Sequence, residues 1–522
     1  DAVTEVTGAD EDLLKDGFVA LRPEDERKVE GLFVDQLVEI KDVTDEIQKA
    51  MEGKSGADAL KARAQAIKSV EQRLGVDGLR CQVITLYHGG RYSAYLYKRY
   101  NDVRLVFSSE RGFAFFGGVY DFWAYPRYSF DCDLFRVYGD DGKPLATKHY
   151  FRWSPMGSQS GEPVFVVGNP GRTGRLVTAE MLEFDRDVRV PFTYRLLTDR
   201  KAILEKWLES NKDKHDAAYF DEIFGINNAQ EIYGGRLAGL RDDELLNRRR
   251  EFDKQFRTKV EGNPQLSKKY ADLWENIAGL IAAQRGIAAD LYALRGNGLG
   301  VSAYVERAAA IVRYRAEMSK AEKDRPAAWQ GEAAVKQREA LAAALTPDVA
   351  MERATLERQL SLMQDMLGGD DVIIRELFAG QTIESKAKSM IESTVLGNEE
   401  ALATLLDGGD DAAASSTDPF IRLAVMMQPR ADEAALRQRE LAQALETQRE
   451  RMGRALYDVY GTEYPPDATF SLRISDGVMQ GYRYNGTVAP AFTTFYGMYD
   501  RHYSFKDSEG AFDAMMSGNA WD

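Results

Sequence analysis

The hydrophobic period changes twice along this chain, and that double change limits the folds open to it. Up to about residue 195 apolar side chains recur at every second position. Val103, Leu105 and Phe107 alternate with Arg104, and Tyr95 and Tyr97 do the same just before, the pattern of half-buried strands. Leu134–Tyr138 reads as a further strand. Val164–Val167 is wholly apolar, which predicts a strand buried on both faces. Residues 42–75 interrupt this stretch with a charged, Ala-rich, helical texture. From about 196 to 460 the period becomes helical: Leu356, Leu360, Met363 and Leu367 fall on one stripe, and Leu441, Leu445, Met452 and Leu456 on another that Gly461 can end. Both stripes read as core-facing. Beyond 461 the strand period returns. Phe470, Leu472 and Ile474 alternate with Thr469, Ser471, Arg473 and Ser475, Gly477 reads as a turn, and Tyr482 opens another short strand. The order predicts a mixed α and β chain in which a helical domain, 196–460, is inserted between two parts of a β domain, 1–195 and 461–522.

Composition removes several classes of function. With 68 Lys and Arg against 83 Asp and Glu the net charge is −15, which argues against a general nucleic-acid binder, since that role needs a basic face to displace phosphate counterions. Cys81 and Cys132 are too few for a disulfide framework or a multi-cysteine zinc site. The histidines, His88, His149, His215 and His502, form no HExxH pattern, so no metal or other cofactor is expected. No run of 18 apolar residues is present, so no membrane span is expected. The polar loop Asp407–Asp418 lacks the spacing of a calcium loop. Gly296–Gly300 follows a helical segment rather than a strand, so it reads as a helix-ending loop and not a dinucleotide site. The chain begins with Asp rather than Met and reads as processed or cut.

One set of residues suggests nucleophilic catalysis. His88, Asp131 and Ser160 stand in the order of chymotrypsin-like triads, in which a buried Asp orients the imidazole base. Ser160 follows Asp131 by only 29 residues, too few to build a second barrel between them, so it reads as a loop residue before Val164. His88 lies beside Gly89-Gly90 and reads as a turn. Asp131 opens the apolar strand Asp131-Cys-Asp-Leu-Phe-Arg-Val-Tyr138, where a turn residue and an orienting aspartate both fit.

Longer blocks then occur in order: Asp102-Val-Arg-Leu-Val106, Phe116-Gly-Gly118, Asp121-Phe-Trp123, Pro126-Arg127, Asp131 with Leu134–Tyr138, Gly168-Asn-Pro-Gly-Arg-Thr173, Asp467–Arg473, Gly481-Tyr482 and Thr493-Thr494. Together they resemble the bacterial dipeptidyl-peptidases of the type-7 and type-11 group, serine exopeptidases with a chymotrypsin-like double β-barrel and a large helical insert. The resemblance implies removal of dipeptides from free peptide N-termini, with the helical domain capping the cleft. It matches Asp131 to the triad aspartate, Trp123 to a tryptophan beside the pocket for the substrate's α-amino group, and Asn228 to an asparagine of the helical domain that binds the same amine. A helix cap or surface amide is the plainer account of Asn228. It further implies peptide partners, a periplasmic or cell-surface location in a Gram-negative bacterium, and often a homodimer.

The departures carry information too. The family's triad histidine segment would fall before residue 1 and its nucleophile turn after Asp522, so two members of the triad are expected outside this chain. Phe122 stands where the family has Asn in the amine pocket; a phenyl ring accepts no hydrogen bond from an ammonium and offers only its face. Val119 replaces an Asp and Tyr128 a His. Three readings follow: part of an active dipeptidyl-peptidase, a catalytically inactive relative that binds peptides or serves structure, and a helical interaction protein with β flanks.

Overall fold

Successive side chains alternate across the pleat of a strand, and the clearest alternation in the sequence falls in a strand that buries Val103 and Leu105. In the computed structural model, all residues are described except 1, 55, 119–123, 172, 212–216, 409–410, 485 and 506–522. The fold is mixed α and β. Strands β1 (Phe18–Val19), β2 (Arg27–Lys28), β3 (Val34–Asp42), β4 (Leu79–Leu86), β5 (Arg91–Tyr100), β6 (Asp102–Ser108) and β7 (Asp133–Tyr138) build two antiparallel sheets. In one, β5 is central between β3 and β4; in the other, β6 pairs with β1, β2 and β7. The Ala-rich interruption forms the helices Thr44–Met51 and Gly56–Leu74, which bury Ile47 and Val70 against Tyr92 and Ala94 of β5. Leu105 of β6 is buried with Val3, Leu13 and Val29.

Two strand expectations are corrected. Val164–Val167 does lie in a strand, β8 (Pro163–Gly168), but it is not buried: Phe165 is 65% exposed and Val166 69%. β8 pairs only with β9 (Arg473–Val478), so this two-stranded ribbon has no layer over either face among the described residues. The alternation at Phe470–Ile474 does not make one strand. Phe470 takes φ +60°, its N–H turns back to the carbonyls of Pro170 and Gly171, and the ladder begins only at Arg473. Gly477 is not a turn; it sits within β9 opposite Val164. Tyr482 does open a strand, β10 (Tyr482–Tyr484), hairpinned to β11 (Thr487–Ala489) and followed by the helix Phe495–Phe505.

The chain divides into two units, Asp1–Leu176 with Glu450–Asp522, and Val177–Arg449. The texture of the sequence changes later, near 195 and 460, because a helix already begins at Ala179 and the last turns of the helix Pro419–Tyr460 belong with the first unit. In the second unit, Leu356, Leu360 and Met363 are fully buried against Ile311, Ile374 and Phe420, the core-facing role their spacing predicts. Leu441 and Leu445 are buried as well, as are Met452 and Leu456 in the first unit, and Gly461 ends their helix at φ +59°. The Gly296–Gly300 loop leads into the helix Ala303–Met318, whose first turn is already occupied: buried Glu352 accepts the Ser302 hydroxyl and the N–H groups of Ala303 and Tyr304. A carboxylate at a helix N-terminus complements the dipole there, which supports the structural account of this loop.

A second buried carboxylate carries a pH prediction. Asp253 lies beneath the helix beginning at Ala179, accepts its N–H at 2.7 Å, and has Arg249 Nε at 3.2 Å. Burial pushes its carboxyl up to about 6 in spite of Arg249. The folded value lies above the unfolded one, so the folded state holds the proton more tightly. Its contribution is present below about pH 4 and is lost as pH rises through about 6. The loss is about 2–3 kcal/mol for a shift of this size. Thermal unfolding from pH 4 to 7 should show the helical unit weakening across that window, and Asp253→Asn should flatten the slope.

Candidate functional site

Asp131 lies in the irregular lead into β7, two residues before that strand begins at Asp133. The pairing of β7 with β6 fixes the strand, with Ser108 opposite Asp133 and Phe107 opposite Leu134. The lead is fixed separately. Phe130 donates its N–H to the Phe113 carbonyl at 2.9 Å, and its ring packs between Phe107 and Phe495, with centroids 6.1 and 5.6 Å away. Arg127 Nη2 stands 3.0 Å from Asp131 Oδ2, and Arg127 Nε donates to the Ser129 hydroxyl. The Asp131 side chain is 51% exposed, so its carboxylate reaches solvent from one side while the guanidinium holds the other.

The remaining sequence candidates are placed as follows. Phe122 and Trp123 lie outside the described residues, as does Val119. Asn228 belongs to the second unit, in the interior of the helix Ala217–Leu240, which excludes the cap reading; it is half-buried. Its neighbour Asn227 is buried, and among the described residues its Oδ1 has no hydrogen-bond donor. Ser160 is exposed in the turn before β8, as its spacing predicts. His88 is a turn residue: Tyr87 and His88 take φ +51° and +48° in the β4–β5 connection.

The sequence reading missed the partner of that turn. His88 Nε2 lies 3.4 Å from Asp467 Oδ2, and Asp467 Oδ1 accepts the Thr173 hydroxyl and the Arg175 N–H at 2.6 Å each. Burial alone would raise the Asp467 carboxyl, but the hydrogen bonds from His88, Thr173 and Arg175 outweigh it and hold the group below the usual carboxylate range. His88 is therefore paired with an acid other than Asp131. No local pattern signals this, because the partners are separated by 379 residues. Among the described residues no group of three or more His, Cys, Asp or Glu is placed to hold a metal ion, and no helix is long and apolar enough to cross a membrane.

The profile of the family Peptidase S46 matches residues 1–518. The chain belongs to the peptidase S46 family. An Asp/Glu-specific dipeptidyl-peptidase of Shewanella putrefaciens is 26% identical over 82% of this chain and 60% of its own length. A dipeptidyl-peptidase 7 of Porphyromonas endodontalis is 24% identical over 96% of this chain and 62% of its own. The chain thus spans about three fifths of the length of these two S46 relatives. The crystal structure of Porphyromonas endodontalis DPP11 superposes with a TM-score of 0.74 at 18% identity, covering 95% of this chain and 73% of that one, which establishes the shared fold. The relatives come from Gram-negative species, and the resemblance carried by the blocks between Asp102 and Thr494 is to the right family.

Proposed function

We propose that this chain is the larger part of a serine dipeptidyl-peptidase that releases dipeptides from free peptide N-termini, with Asp131 as the orienting acid of its triad. The observation that carries the reading is the placement of Asp131 at the mouth of β7 in a chain matched to peptidase S46 over residues 1–518. In this mechanism a serine attacks the scissile carbonyl and a histidine takes its proton. The acid holds that histidine in the productive tautomer and stabilises the imidazolium, and water then hydrolyses the acyl-enzyme. The histidine and serine lie outside residues 1–522. The uncovered ribbon β8–β9 supports this view, because two strands with apolar side chains on open faces are poorly stable without further strands or layers. Completion of a chymotrypsin-like double barrel by chain beyond these residues would cover it.

In the same reading Trp123 and Asn228 receive the substrate's ammonium group, and Phe122 lines that pocket. In this reading the enzyme works without a cofactor in the periplasm or at the surface of a Gram-negative cell, often as a dimer. Phe122 and Tyr128, in place of Asn and His, favour a second reading: a relative that keeps peptide binding and has lost turnover. One assay separates the two. The full-length protein should release dipeptides from unblocked peptides and leave N-acetylated ones intact. Equal cleavage of both overturns the exopeptidase reading, and binding without release supports the second.

A further inference from the structure

The return segment of the first unit grips the lead into Asp131 at successive points. The Tyr482 hydroxyl donates to the Tyr125 carbonyl at 2.9 Å, and the Tyr125 hydroxyl donates to the Pro490 carbonyl at 2.8 Å. The Thr493 hydroxyl donates to the Arg127 carbonyl at 2.7 Å. Tyr128 lies against Gly497 so closely that a methyl carbon built there would overlap its Cε1 and stand 3.2 Å from its Cδ1. The Arg501 guanidinium lies 5.9 Å from the same ring. Phe495 closes the set on Phe130. Residues 125, 127, 128 and 130 are thus each held by the stretch 482–501, and residue 131 follows directly.

The Thr493 bond falls on the backbone of the residue whose guanidinium holds Asp131, and Gly497 leaves room for the ring one position further on. Both contacts bear on the peptide between Arg127 and Asp131, where a rotation of the backbone would swing the carboxylate. We infer that Thr493 and Gly497 are positioning residues for the candidate site: the hydroxyl of Thr493 and the bare Cα of Gly497 fix the backbone that aims Asp131.

The inference rests on the reading of Asp131 as the orienting acid. It is separable from it, because removing the carboxylate and removing its support are different substitutions. A carboxylate displaced by about 1 Å from its working position can cost a hundredfold in rate without loss of the fold. A hydroxyl is required at 493, since only a donor reaches the Arg127 carbonyl, and Ser keeps that donor where Val does not.

The test compares Thr493→Val, Thr493→Ser, Gly497→Ala and Asp131→Asn in the full-length protein. The readouts are kcat and KM on an unblocked peptide, melting temperature, and amide hydrogen exchange over 124–131. Thr493→Val and Gly497→Ala should lower kcat about tenfold to a hundredfold, with KM nearly unchanged, and exchange should rise in 124–131 and not elsewhere. Thr493→Ser should restore kcat. The inference is overturned if Asp131→Asn abolishes turnover while Thr493→Val and Gly497→Ala leave kcat intact. It is overturned equally if both lose activity only in step with a general fall in melting temperature that Thr493→Ser fails to repair. No effect of Asp131→Asn on kcat overturns the functional reading and this inference together.

Discussion

Asp131→Asn in the full-length protein should lower kcat about a thousandfold to ten-thousandfold and leave the melting temperature in place. The rate effect follows from the role proposed for the carboxylate. An amide keeps the shape of the side chain but cannot offer two acceptor oxygens, so the imidazole beside it is held in the wrong tautomer and its protonated form goes unsupported; in the Ser-His-Asp template this costs about four orders of magnitude. The stability effect is small for an independent reason. What Asp131 holds here is an i,i+4 pair with Arg127 on a half-exposed surface, and such pairs contribute about 1 kcal/mol or less. The two expectations together separate the catalytic account from the plainer one. A turn residue before a strand would change kcat by less than about twofold under the same substitution, because its work is local backbone geometry that Asn also supplies. Steady-state kinetics on an unblocked peptide, with a melting curve on the same sample, decides the matter.

Legibility of the chain depended on the range of the interaction involved. The helical stripes could be read because a period of 3.6 is written into neighbouring residues: Leu356, Leu360 and Met363 announce a buried face whatever else the chain does. β5 and β6 were legible at period two, through Tyr95 and Tyr97 and through Val103, Leu105 and Phe107, and β7 as an apolar run. Val164–Val167 shows where this stops. Its apolar run specifies a strand that wants cover on both faces, and it says nothing about which chain supplies the cover; the only partner among the described residues is β9, from 305 residues away at Gly168 and Arg473. Phe470 misled because alternation was continued through a residue whose backbone is turned by hydrogen bonds to Pro170 and Gly171. The ordered blocks around Asp131 made the family legible, while the support of the segment leading to Asp131 was not. Thr493 and Tyr482 belong to matched blocks, yet spacing alone cannot reveal that a hydroxyl at 493 meets the carbonyl at 127.

The same long-range logic gives a stability result of unusual sign. Gly453→Ala should destabilise the first unit by about 3 kcal/mol or more, although alanine is the better helix former by about 1 kcal/mol at an open site. Gly453 lies in the helix Pro419–Tyr460, and a methyl carbon built on it would overlap the Tyr87 carbonyl oxygen and stand 2.6 Å from the carbonyl carbon. The obstacle is backbone, so no rotamer change relieves it. Nor can the backbone readily retreat. Tyr87 and His88 already hold positive φ, the Tyr87 ring packs 5.1 Å from Tyr457, its hydroxyl donates to the Tyr464 carbonyl at 2.7 Å, and His88 reaches Asp467. Moving the turn away from position 453 would therefore break contacts on several sides at once. The control is Gly279→Ala in the helix Leu273–Ala293, where the added carbon meets nothing within 4 Å and should stabilise by about the helix-propensity difference. At about 2–4 °C per kcal/mol for a unit of this size, the first substitution should lower the melting temperature of the β-containing unit by roughly 6 °C or more and the second should raise that of the helical unit slightly. Equal shifts for the two would mean that the β4–β5 turn does not press on the helix at Gly453.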